Sequence, residues 1–304
     1  MPEQLQLFSP AIIALGRGME KIKRLAFAEA KKEFEEALIS RELSAIAQSW
    51  KQATEYWLDG LQDIDCLAES GAQARRWYEL WEKFVKDDLS WREQILTEMR
   101  QQVFGQIVRL WQNDPVPLPY SIGYFQLETG DLQGAITSLE AELQNDPGLL
   151  FTNILLANAY YCQGEISKAA RHYREALFQK PFNKFNIEIK HPGLRSLWEE
   201  FEDEGMAWEW FPVYAALRGV LPLPPMTSWD EAQEIEAQTQ RWELTVSGTD
   251  TTEITNKARL FLAYLQMARW CRKQGGKQEI DYRRKMKSLN SFLFELYLER
   301  LQNV

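Results

Sequence analysis

The chain is 304 residues long, 45% hydrophobic, and carries a formal net charge of −9. That apolar share supports a packed core for one large or two ordinary domains, while the acidic balance argues against nonspecific binding to nucleic acid or anionic membranes, which needs a basic excess. Leu, Ala, Glu, Gln and Arg dominate and β-branched residues are few, which is an all-α composition. No apolar run reaches the ~18 residues of a membrane span. The start, Met1-Pro2-Glu3-Gln4, lacks the basic and apolar regions of a signal peptide, so a cytoplasmic location is expected. Cys66, Cys162 and Cys271 are far apart and odd in number, so neither a disulfide framework nor a zinc site is expected.

Up to about residue 114 the chain reads as helices. Pro10 suits the first position of the first one. Phe27, Ala30, Phe34, Ala37 and Leu38 form the apolar face of a second, giving a helical hairpin over 11–40 with Gly16 and Gly18 where the first helix crosses its neighbour. Leu43, Ile46, Ala47, Trp50, Ala53, Trp57 and Leu61 recur at three and four, as do Trp77, Leu80, Trp81 and Phe84. Ser90 and Glu93 predict a capping box ahead of the stripe Ile95, Met99, Val103, Ile107 and Leu110. Residues 113–119 hold three prolines and form a rigid connection.

Residues 118–181 then repeat themselves. Gly130 returns as Gly164, Ala135 as Ala169, Leu139 as Tyr173 and Pro147 as Pro181, each 34 residues later. Glycine suits a tight turn between two helices because it tolerates positive φ. The alanines are small where the helices touch, and the prolines stop the second helix. In the second unit Leu156-Ala157-x2-Tyr160, Ala169-x3-Tyr173 and Pro181 follow one another; in the first, Ile122-Gly123, Ala135-x3-Leu139 and Pro147 do. This stretch resembles the tetratricopeptide repeat family, whose 34-residue unit runs W-x2-L-G-x2-Y, A-x3-F, P. The tryptophan slots hold Pro119 and Asn153, and Gln126 stands in the first tyrosine slot, where the sequence departs from the pattern.

The resemblance implies an α-solenoid of antiparallel helix pairs over 115–182. About three units are normally needed for stability, so irregular helical flanks at 1–114 and 183–304 must cap it. The 11–40 hairpin is a candidate divergent unit, out of phase because Ala30 and Ala135 are 105 residues apart.

Beyond Pro181 the repeat register is lost. Pro192 predicts a fresh helix start, with Leu194, Leu197, Trp198 and Phe201 on one face. A short helix is expected over 206–220, a break at Leu221–Pro225, and a second capping box at Ser228 and Glu231. Residues 242–251 read as a loop. Ile254, Ala258, Phe261, Leu262, Leu265 and Ala268 mark a long helix ended by Gly275-Gly276. A last helix over 278–302 carries two apolar rows, one through Tyr282, Met286, Leu289, Leu293 and Leu296, the other through Phe294, Leu298 and Leu301.

Chemistry-bearing motifs are absent from the sequence. His172 and His191 are the only histidines and neither has a His or Cys at i+3 or i+4, so no metal is expected. Gly16-Arg17-Gly18 lacks the Lys-Ser/Thr of a phosphate loop. No cofactor and no enzyme activity are expected.

In the family the first helix of each unit lines a concave face. The resemblance places Pro117, Tyr120, Tyr124 and Leu127 there from the first unit, and Phe151, Ile154, Asn158 and Tyr161 from the second. Asn158 has both a donor and an acceptor for an extended peptide backbone, and tyrosines give large contact area at low entropy cost. The expected function is therefore non-enzymatic binding of a protein or peptide partner by an adaptor, scaffold or assembly factor. Two alternatives stand beside it: self-association through the 278–302 helix, and a ligand sensor or enzyme without a recognisable motif.

Overall fold

The computed structural model describes residues 9–86, 93–146, 149–185, 187–246 and 252–302. Among them every regular element is helical. The chain divides into two compact units, 1–138 and 139–304.

In the first unit, α1 (Pro10–Lys23) begins where expected, with Pro10 at the start and the Ser9 hydroxyl accepting from Ile12 N at 3.3 Å. It turns back through Leu25, held at φ 59°, into α2 (Phe27–Ala37). Gly18 is where the hairpin closes: a Cβ there would lie 2.5 Å from the Phe34 ring, whereas one at Gly16 would meet nothing. Next come α3 (Ser44–Asp65), α4 (Ser70–Lys86), α5 (Glu93–Asn113) and α6 (Ile122–Thr129). The core between them is aromatic. Trp57 stacks on Phe27 at 5.3 Å, Trp50 on Phe34 at 6.0 Å, and Phe104 meets Phe125 edge-on at 5.0 Å. Each such buried side chain contributes roughly 1.5–3 kcal/mol, so this unit rests on tryptophan and phenylalanine placed at helical spacing. Ser90, predicted as a cap, lies outside the described residues.

The 113–119 connection is fastened. Gly71 N donates to Asp114 Oδ2 at 3.0 Å and Trp111 Nε1 to Val116 O at 2.9 Å. The helix α6 ends at Gly130, whose φ of 84° leads into α7 (Leu132–Asn145), and the division between the units falls inside α7. Pro147 lies outside the described residues.

The second unit contains α8 (Leu150–Gln163) and α9 (Ile166–Leu177), joined by Gly164 at φ 86° and pressed together at Ala169 and Tyr173, which are buried. Pro181 ends this pair and a single 3-10 turn follows at 182–184. Helix α10 (Pro192–Asp203) starts at Pro192, and α11 (Phe211–Leu217) is buried at all seven of its residues. Its C-terminal carbonyls at Ala216 and Leu217 accept from Arg300, a cation at the negative end of the helix. Helix α12 (Trp229–Thr245) carries the expected cap: Ser228 Oγ accepts from Glu231 N at 3.2 Å, and Glu231 reaches back to Thr227 N at 2.7 Å. Helix α13 (Thr252–Lys273) ends ahead of Gly275 at φ 69°.

The expected single helix over 278–302 is two helices, α14 (Glu279–Leu289) and α15 (Ser291–Gln302). Asn290 breaks the run with φ −157° and ψ 108°, and its Oδ1 accepts from Leu293 N at 3.0 Å. An asparagine side chain that replaces a backbone partner in this way starts a new helix. The break lets Leu293, Phe294 and Tyr297 be buried together.

Candidate functional site

Helix α8 is buried on every side: the nine residues from Thr152 to Tyr160 are all in the interior. A helix apolar all round must be covered all round, and here the cover on its open side is the chain itself. Residues 187–190 run past Asn158 without helical structure. Asn158 Nδ2 donates to Glu188 O at 2.8 Å, and Asn158 Oδ1 accepts from Lys190 N at 2.9 Å. These are a carbonyl and an N–H two residues apart, the pair that a neighbouring β-strand would use. The acceptor-only Glu188 O and donor-only Lys190 N fix which end of the amide faces which group, and the Tyr173 hydroxyl donates to the same Oδ1 at 2.7 Å. Burial, with Cys162 adding, pushes the Tyr173 pKa far above the ordinary tyrosine value, so the hydroxyl is neutral.

Tyr161 packs its ring 4.9 Å from that of His191, which follows the extended segment, and Tyr173 meets His191 edge-on at 6.1 Å. Burial lowers the His191 pKa. His172 lies elsewhere on α9, its Nδ1 3.0 Å from Asn153 Oδ1 and its ring stacked on Tyr160 at 5.7 Å. Burial, with Arg171 adding, pushes the His172 pKa down to about 4, so it is neutral at physiological pH.

Of the eight residues expected on a binding face, Pro117 is exposed in the 113–119 connection and the other seven have unequal fates. From α8, Phe151 is open at 46% exposure with Lys180 Nζ 5.9 Å over its ring, Tyr161 is half-buried, Asn158 is buried by the 187–190 segment, and Ile154 is core. In the first unit Leu127 is core, while Tyr120 is 39% exposed and Tyr124 half-buried, their rings 4.6 Å apart. Tyr78 supports Tyr120 at 6.3 Å, and burial, reinforced by Glu128, pushes the Tyr124 pKa up to about 12. So Leu127 and Ile154 stabilise helix packing and do not present a contact surface. Tyr120 and Phe151 are exposed and Tyr124 and Tyr161 half-buried, each within its own unit.

Position within the repeat does not identify the extended segment or Tyr173 as parts of the site. A signal for the segment exists: Ile187-Glu188-Ile189-Lys190 alternates apolar and charged residues between Pro181 and Pro192, which is strand patterning. What that pattern cannot reveal is its partner, an amide 30 residues upstream.

The apolar rows of α14 and α15 leave little free. Ile280 and Phe292, at 57% and 41% exposure, are the large apolar side chains of these helices that stay open. Among the described residues no cluster of His, Cys, Asp or Glu is disposed to hold a metal, and no helix is long and apolar enough to cross a membrane.

No protein-family model matches this chain, and no curated protein is detectably similar to it.

Proposed function

We propose that this is a non-enzymatic protein-interaction module of tetratricopeptide-like α-solenoid build, acting in the cytoplasm as an adaptor, scaffold or assembly factor. The observation that supports the reading is the grip of Asn158 on an extended backbone, through both its donor and its acceptor. A side chain that can satisfy Glu188 O and Lys190 N in the molecule itself has the chemistry to satisfy the same two groups of a partner strand. Within the first unit, the Tyr120–Tyr124 pair is a separate rigid aromatic area of the kind that carries binding energy at protein interfaces.

In this reading a partner contributes an extended segment of alternating apolar and charged residues, which takes the place of 187–190 on Asn158 and Tyr161. The test is affinity capture from the host's lysate followed by calorimetry with the purified partner. Wild type is compared with a Tyr124→Ala/Tyr161→Ala double variant whose helicity is confirmed by circular dichroism. Loss of two aromatic anchors is expected to weaken binding by ~10-fold or more. A partner held equally by both proteins overturns the assignment of these faces.

A further inference from the structure

A cavity of about 430 Å³ lies between α9, α12, α13 and the Leu223–Met226 stretch of the second unit. Its size is that of a small-molecule site. Arg171, Arg174 and Arg259 line it together with Glu175, Glu231 and Glu234. These charges do not cancel in pairs. Arg259 holds Glu175 at 3.1 Å and lies 4.7 Å over the Phe178 ring. The Glu231 carboxylate is used by Thr227 N in the helix cap.

Arg174 is different. It is only 6% exposed, and among the described residues it has no carboxylate in salt-bridge reach. One guanidinium nitrogen donates to Leu221 O at 3.2 Å and Pro222 O at 2.8 Å. Neutral carbonyls compensate a desolvated guanidinium less fully than an anion does. Burial pushes the Arg174 pKa down to about 10; Glu175 opposes the shift and Arg171 adds to it. Arg171 stands exposed on the rim one turn earlier, also without an ion-pair partner among the described residues. The remaining wall is largely apolar, with Phe178, Leu262 and Trp242 prominent.

We propose that this cavity binds a small monocarboxylate with an apolar body. The carboxylate meets Arg174 and Arg171, and the body lies on Phe178, Leu262 and Trp242. A planar carboxylate matches the fork of a guanidinium. The lining itself sums to zero charge, three arginines against three carboxylates. Arg171 and Arg174, one turn apart and outside the Arg259–Glu175 pair, offer their charge to one carboxylate, whereas a dianion such as phosphate also meets repulsion from Glu231 and Glu234. The site stands apart from Asn158 and does not depend on the proposed partner.

The experiment is isothermal titration calorimetry of the full chain with 4-phenylbutyrate, its uncharged isostere 4-phenylbutyramide, and inorganic phosphate. The acid is expected to bind saturably at one site, about tenfold more tightly than the amide, with phosphate weaker than either. Arg171→Gln removes an exposed side chain, so the fold is retained, and it is expected to weaken the acid severalfold and leave the amide unchanged. Arg174→Met, if helical by circular dichroism, is expected to abolish the preference for the acid. An Arg174 that merely pins the 221–222 turn would change stability and leave the acid-to-amide ratio alone. No saturable binding of 4-phenylbutyrate at millimolar concentration, equal affinity for acid and amide, tighter binding of phosphate, or an acid affinity unmoved by Arg171→Gln overturns the proposal.

Discussion

Tyr173 and Asn158 face each other across the α8–α9 pair, and the tyrosine hydroxyl donates to the amide oxygen at 2.7 Å in the protein interior. Glu188 O, which can only accept, and Lys190 N, which can only donate, set the amide with its nitrogen toward Glu188 O and its oxygen toward Lys190 N and the hydroxyl. One buried side chain thus ties two helices and an extended segment together.

Replacing Asn158 by alanine removes one partner each from the Tyr173 hydroxyl, Glu188 O and Lys190 N. The buried tyrosine hydroxyl loses about 1–3 kcal/mol and the two backbone groups, which water can reach, about 0.5 kcal/mol each, so a total loss of roughly 2–4 kcal/mol is expected. Urea denaturation measures the loss, and amide exchange at Lys190 reports release of the segment. Exchange at Lys190 that stays slow in Asn158→Ala would show that the segment is held by other contacts.

Two glycines of α1 separate packing from propensity. Gly18→Ala drives a methyl group to within 2.5 Å of Phe34, and overpacking of this kind costs about 1–3 kcal/mol. At Gly16 the same methyl group meets nothing, so Gly16→Ala is expected to stabilise by about 0.5–1 kcal/mol through helix propensity. Thermal melts of both variants should move in opposite directions.

His172 makes stability depend on pH. Its folded pKa is near 4 against an ordinary value of 6.5, so the folded state resists the proton that the unfolded state takes up. The contribution is complete above pH 6.5 and is lost as pH falls from there to about 4, below which it is constant. The span corresponds to on the order of 2 kcal/mol once partial exposure is allowed for. His191, lowered in the same direction, adds to the slope. His172→Gln is expected to flatten the stability profile between those limits, and an unchanged slope would remove His172 as its source.

The cap of α12 is open to a direct test. Ser228→Ala removes the acceptor of Glu231 N and is expected to cost about 1 kcal/mol. Glu231→Gln should cost less, because an amide oxygen still reaches Thr227 N, without the charge that favours a helix N-terminus. A double-mutant cycle by chemical denaturation gives the coupling.

Most of the fold was legible because it is local. Helical spacing of Trp50, Trp57, Trp77 and Trp81 predicts the helices of the first unit, and Pro10, Gly130, Gly164, Pro192 and Ser228 mark their ends by backbone rules that act within a few residues. The error over 278–302 has the same origin. Its apolar spacing continues through Asn290, and only an extended backbone at that residue, capping Leu293 N, divides the helix. The candidate face was legible in part. Position within a repeat picks out Tyr120, Tyr124, Phe151 and Tyr161, but does not reveal that Leu127 and Ile154 are core.

The sequence by itself determined an all-helical chain, its main turns and caps, and a repeated helix pair at 34-residue spacing, since each follows from periodicity and φ preference. Only the tertiary structure decided what Asn158 holds and which carbonyls meet the buried Arg174. Asn158 meets a segment 30 residues away, and Arg174 meets carbonyls 47 and 48 residues away. Contacts at that separation depend on how the packed helices bring distant parts of the chain together, and no local pattern of side chains encodes them.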